Sequence, residues 1–158
     1  MSNIKKLMMS AAGGGGFDVD EVFSTYLYTG NSGAQTITNG IDLSGKGGLV
    51  WLKGRAAANS HLIDTERGSN KFLISNAINA EQTSSSGADV TSFNSNGFSF
   101  GTYYNNINFN NYKYASWTFR KAPKFFDVVT FTGTGSASTN IPHSLGAAPG
   151  MIIIKRTS

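Results

Sequence analysis

The stretch YTGNSGAQTITNGIDLSGKGGLVWLKGR at residues 28–55 returns as FTGTGSASTNIPHSLGAAPGMIIIKRTS at residues 131–158. Both copies open on aromatic-Thr-Gly and pass through a Ser/Thr/Asn-rich turn with an Ile (Ile37, Ile141) and a Leu (Leu43, Leu145). A Gly-containing turn then leads to an apolar strand pattern closed by a lysine (Lys53, Lys155). Tyr28 and Phe131 stand 103 residues apart, and a repeat of that period is a duplicated domain rather than a solenoid unit. The predicted organisation is a tether at residues 1–17, one complete domain at 18–121, and a joint with an incomplete second repeat at 122–158. The second copy stops where the first runs on into further strands, so either this chain is part of a longer, multi-domain protein, the reading preferred, or the second copy has degenerated.

Composition narrows the fold. Apolar residues make up 39% and charged residues 14%, with Gly, Ser, Thr and Asn filling the difference, as short strands joined by many turns require. The net charge of +4 is spread along the chain. No basic stripe with aromatic neighbours is visible, which argues against nucleic acid as a partner. The absence of cysteine excludes disulfides and thiolate metal sites. No apolar run approaches the roughly 20 residues a membrane span needs.

At the N-terminus, Lys5 and Lys6 precede Leu7, Met8 and Met9, an apolar stretch too short for a signal peptide. The glycines at 13–16 make a flexible joint. Residues 1–12 therefore read as a tethered peptide, either a disordered start or a docking segment anchored by Ile4, Leu7, Met8 and Met9.

Strand signals recur at short intervals. Val22 to Tyr28 leads into the turn TGNSG, and Thr36-Ile37-Thr38 ends at Asn39-Gly40, a strong turn pair. GLVWLK at 48–53 is a continuous apolar run, the pattern of a central strand covered on both faces. HLID at 61–64 and KFLIS at 71–75 come next. VTSFNSNGFSFG at 90–101 reads as a hairpin. From 112 to 120, Tyr112, Tyr114, Ser116 and Thr118 alternate with Lys113, Ala115, Trp117 and Phe119. Only Asn76 to Gln82 has a hint of helical period. The fold class predicted is all-β, an antiparallel sandwich or barrel, with the boundary between copies at the Ala122-Pro123 break.

Candidate chemistry is sparse. Asp64 and Glu66 fall on one side of an extended strand, the pairing a retaining glycosidase uses. Arg67 beside them favours a loop-end ion pair with Asp64. His61 has no companion ligand nearby, and Asp18, Asp20 and Glu21 lack the rest of a calcium loop. Neither a catalytic nor a metal site is assigned, and no cofactor is expected. NNINFNN at 105–111 sets Asn amides beside Tyr103, Tyr104, Phe109 and Tyr112, groups suited to sugar recognition. Asn105, Asn108, Phe109 and Tyr112 are the candidate glycan contacts, against the plainer reading of a polar surface loop. Trp51 and Trp117 are expected in the core.

The N-terminal run MSNIKKLMMSAAGGGG, the long DVDEVFSTYLYTGNSGAQTITNGIDLSGKGGLVWLKGR, LIDTERGSNKFLISN, SFNSNGFSFG and YASWTFRKAPKFFDVVTFTGTG together resemble the virion structural, tail-fibre-like proteins of marine tailed phages. The resemblance spans nearly the whole chain. It implies tandem lectin-like (concanavalin-A-type) jelly-roll sandwiches and a place on the phage tail or an associated appendage. It also implies a non-enzymatic role and synthesis in the bacterial host cytoplasm. The N-terminal peptide would dock on tail or neck proteins, several chains would assemble, three per fibre, and distal repeats would reach a host surface glycan. A carbohydrate-binding module, a capsid decoration protein and, last, a glycan depolymerase are the alternatives.

Overall fold

The computed structural model describes residues 16–55, 58–84, 89–102 and 107–158. The docking residues Ile4, Leu7, Met8 and Met9 lie outside that set, as does Asn105. The chain enters through one helical turn, α1 (Val19–Val22), where the sequence pattern suggests linker and strand. Val22 is buried, and the Glu21 amide donates to the Asp18 carbonyl at 2.9 Å. Among the described residues, nine strands come after it: β1 (Phe23–Thr29), β2 (Gln35–Thr38), β3 (Gly48–Gly54), β4 (Ser60–Asp64), β5 (Lys71–Ile74), β6 (Gln82–Thr83), β7 (Val90–Asn94), β8 (Gly97–Phe100) and β9 (Lys113–Arg120).

They form two antiparallel sheets, a six-stranded sheet in the order β1-β9-β3-β4-β5-β6 and a three-stranded sheet in the order β2-β8-β7. The protein is therefore all-β, as the strand rhythm predicts. The core holds Tyr28, Val50, Leu52, Ile63, Ile74 and Tyr114 from the large sheet, with Ile37, Val90, Phe98 and Phe100 from the small one. The β7–β8 hairpin forms where the pattern places it, Asn94 opposite Gly97. Residues 76–82 form a turn and the start of β6 instead of a helix. There the Asn76 carboxamide accepts the Ser60 amide at 2.9 Å, tying the end of β5 to the start of β4.

Two sequence expectations invert on the large sheet. The run in β3 is central, but only alternate residues are buried. Val50 and Leu52 face the core, while Leu49, Trp51 and Lys53 are half-buried on the other face. On β9 the buried face is Tyr114, Ser116 and Thr118, and the apolar series with Trp117 and Phe119 faces outward. Small inward side chains let the loop after β2 come close, and the Asn39 side-chain amide donates to Thr118 Oγ1 at 2.8 Å. The two tryptophans thus lie outside the core, paired across β3 and β9 with ring centroids 5.5 Å apart, edge to face.

Residues 127–158, which include the second copy, carry no helix or strand. They follow a bent, irregular course held at a few points: Ser144 N to Asp127, Lys124 N to the Leu145 carbonyl, Lys155 Nζ to the Ala77 carbonyl, and Glu81 N to the Thr157 carbonyl.

Candidate functional site

The carboxylate pair does not converge. Asp64 closes the turn after β4, accepting the Glu66 and Arg67 amides at 3.1 and 3.0 Å on one oxygen. Its other oxygen takes Arg67 Nε at 2.7 Å and Nη2 at 2.6 Å. Arg67 also reaches Glu81 and the Leu62 carbonyl. Glu66 turns away to Lys121, 2.6 Å distant. This is the loop-end ion pair that the adjacent arginine predicts, with the two acids committed to different cations. The Glu66 contact chiefly raises the Lys121 pKa. Burial alone would raise the Asp127 carboxyl, but the Ser144 amide and Lys121 outweigh it and hold it below the usual range.

His61 sits buried on the inner face, stacked on Phe72 at 4.3 Å, with Nδ1 3.4 Å from Asp89. Asp89 is also buried and meets the Ser84 hydroxyl. It adopts a positive φ of 54° just before β7. No sequence spacing links these three residues; the sheet brings them together. Among the described residues, no group of three or more His, Asp or Glu is placed to hold a metal ion.

The described part of the Asn-rich loop, residues 107–111, is built into the fold. Asn108 is 2% exposed. Its side-chain Oδ1 accepts the Asn31 backbone amide at 3.1 Å, and its Nδ2 donates to the Gly33 carbonyl at 2.8 Å. This corrects its assignment as a glycan contact, because the amide is spent holding the loop after β1. Phe109 is half-buried against Tyr112, which is itself exposed. The Phe109 amide donates to the Tyr114 hydroxyl, and the Tyr28 hydroxyl donates to the Ile107 carbonyl at 2.7 Å. Burial is the first cause raising both phenol pKa values.

A groove of about 570 Å³ lies instead on the outer face of the large sheet, lined by Trp51, Lys53, Ser60, Ser75, Asn76, Trp117 and Phe119. It is open to solvent, not an enclosed cavity. Trp51 Nε1 is buried there without a hydrogen-bond partner. Charge is sorted along this sheet. At the end where Gly48 pairs with Arg120, the acids Asp64, Glu66 and Asp127 gather around Arg67 and Lys121. At the opposite end, Lys53 lies beside the Arg55–Lys113 pairing, where the Arg55 amide donates to the Lys113 carbonyl. The ion pairs among the described residues use His61, Arg67, Lys71 and Lys121. Lys53, Arg55 and Lys113 enter none of them. The sequence does not announce this cluster, because antiparallel β3–β9 pairing joins residues some 60 positions apart.

The fold and these surfaces define an all-β domain of two antiparallel sheets with a polarised, aromatic outer face. The model of a domain of unknown function, DUF7483, matches residues 18–158, and the chain belongs to that family. No curated protein and no solved structure matches it. Among the described residues, no helix is long and apolar enough to cross a membrane.

Proposed function

We propose that this chain is a structural protein of a tailed-phage particle, lying at the attached base of a tail fibre or similar appendage. The observation that carries the reading is the condition of the second copy. Ile152 and Ile154, aligned with the core residues Val50 and Leu52 of the first copy, lie exposed, and their neighbours Met151 and Ile153 are open to solvent as well. Such a stretch has the sequence of a central strand and lacks the flanking strands that β9 and β4 give to β3. A serial array of sandwiches, each completed by strands from elsewhere in the assembly, is the architecture that accounts for it. The resemblance to phage fibre-like proteins supports the same reading and adds its finer terms: a jelly-roll, lectin-like topology, docking of residues 1–16 on tail or neck proteins, and assembly as a trimer.

Labelling purified particles with antibody raised against residues 18–121 tests the location, with decoration of the tail or its appendages as the expected result. Deleting residues 1–16 is expected to leave the purified domain folded by circular dichroism and to remove it from particles. Antibody binding confined to capsid faces, or full incorporation of the truncated chain, would refute this reading.

A further inference from the structure

We propose that the outer groove is a binding site for an anionic pyranose, a sugar ring bearing a uronate or a sulfate ester. This site lies on the sandwich itself, so it stands whether or not the protein is part of a fibre. Three observations converge on it. Trp51 and Trp117 supply aromatic surface on the sheet's solvent side, outside the hydrophobic core. Aromatic side chains in such a position offer apolar area with little entropy to lose. Ser60, Ser75 and Asn76 line the same groove and give it a polar wall, with the Asn76 carbonyl oxygen held by the Ser60 amide and the Ser75 hydroxyl turned to the Ser60 carbonyl.

The third observation is charge. Alternation along β3 puts Lys53 and Arg55 on the face of Trp51, and alternation along β9 puts Lys113 on the face of Trp117. None of the three has an ion-pair partner among the described residues. Asp64, Glu66, Glu81 and Asp127 are held elsewhere by Arg67, Lys71 and Lys121, and Asp89 is in the core with His61. Lys113 Nζ reaches the neutral Thr29 hydroxyl, at 2.8 Å. Lys53 lines the aromatic groove itself, with Arg55 and Lys113 further along the same face, and cations free of acids there attract and orient an anionic group. A nucleic-acid strand is the weaker fit. Its regularly spaced phosphates call for basic side chains tracking along the groove, whereas here they stand at one end.

Both tryptophans of the chain line the groove, so intrinsic fluorescence reads the site directly. The full chain is titrated with oligogalacturonate, a sulfated galactan oligomer, a neutral galactan oligomer and a thymidine dodecamer. Saturable emission changes are expected with one or both acidic saccharides, and which of them binds tells uronate from sulfate ester. The neutral oligomer is expected to bind roughly tenfold or more weakly, with affinity for the acidic one falling as salt rises. Replacing Lys53 and Arg55 with Gln should weaken acidic-saccharide binding by about tenfold or more without moving the melting temperature. Trp117→Phe should weaken it with the charge intact. Silence with both acidic saccharides, equal binding of the neutral oligomer, or tighter binding of the thymidine dodecamer would overturn the assignment.

Discussion

Tyr28 and Phe131 hold matching places in the two copies, yet the first is 6% exposed and the second 50%. The contrast widens further along. Val50 and Leu52 are fully buried, while Ile152 and Ile154, their counterparts, are 69% and 71% exposed. By β-propensity alone the second copy is the stronger strand former, with three consecutive isoleucines against Val-Trp-Leu. What separates them is company. β3 is bonded to β4 on one side and β9 on the other, and its inner face meets the small sheet. Strand pattern is permission to fold; the neighbouring strands supply the energy.

The sharpest way to break this comparison is to make the same truncation in each copy. Leu52→Ala should destabilise the domain by about 2–5 kcal/mol through lost burial and a residual cavity. Ile154→Ala should change stability by no more than about 0.5 kcal/mol. Urea midpoints of the two variants measure the difference. Equal losses would mean that the second copy packs in solution against something its exposed conformation does not show.

Glycine offers a second, smaller contrast. A Cβ on Gly48 would stand 2.1 Å from the Phe119 carbonyl oxygen, and one on Gly30 would stand 2.2 Å from that of Phe109. Both distances are far inside contact, so the backbone would have to move. Their counterparts Gly150 and Gly133 have nothing within 4 Å. Gly48→Ala and Gly30→Ala are each expected to cost about 1–3 kcal/mol, as overpacking does. Gly150→Ala and Gly133→Ala should leave thermal unfolding unchanged. A melting-temperature loss at Gly150 similar to that at Gly48 would show the second copy already paired.

The strands are legible in the sequence because turn residues and period-two alternation are local signals, and the hairpin at Asn94 to Gly97 needs nothing else. The faces are not legible. The run GLVWLK carries no mark that tells a strand covered on both sides from one whose outer face is half-open and aromatic. On β9 the apolar set has the look of a core side, but Ser116 and Thr118 are the buried ones, Thr118 meeting Asn39 of the loop after β2 and Ser116 turning its hydroxyl to the Tyr26 carbonyl. The Asn-rich loop is special, as its composition signals, though not for sugar at Asn108. That residue has a binding role, but its ligand is the chain's own backbone at residues 31 and 33. The outer groove leaves no local mark at all, because its cations and tryptophans come from strands far apart in sequence.

The smallest predicted effect concerns the joint between the two copies, where Asp127 ties the second copy to the first. Its carboxylate accepts the Ser144 amide at 2.6 Å and meets Lys121 at 3.1 Å. The folded pKa of Asp127 lies below its ordinary value of 3.8. Its contribution is therefore present above that value and is lost as pH falls through the depressed folded one. Lys121 runs the other way. Its pKa is raised above 10.5, so its contribution is complete below that value and is lost only as pH rises through the folded one. Between these limits the tie holds, and acid should release it first. The Ser144 amide resonance is expected to move toward a disordered shift on acidification below about pH 3.8, with Leu52 in β3 unmoved. Asp127→Asn should bring the same change at neutral pH. A Ser144 signal indifferent to both would mean that the second copy is held by contacts other than this carboxylate, and that the two copies are more alike than their exposure suggests.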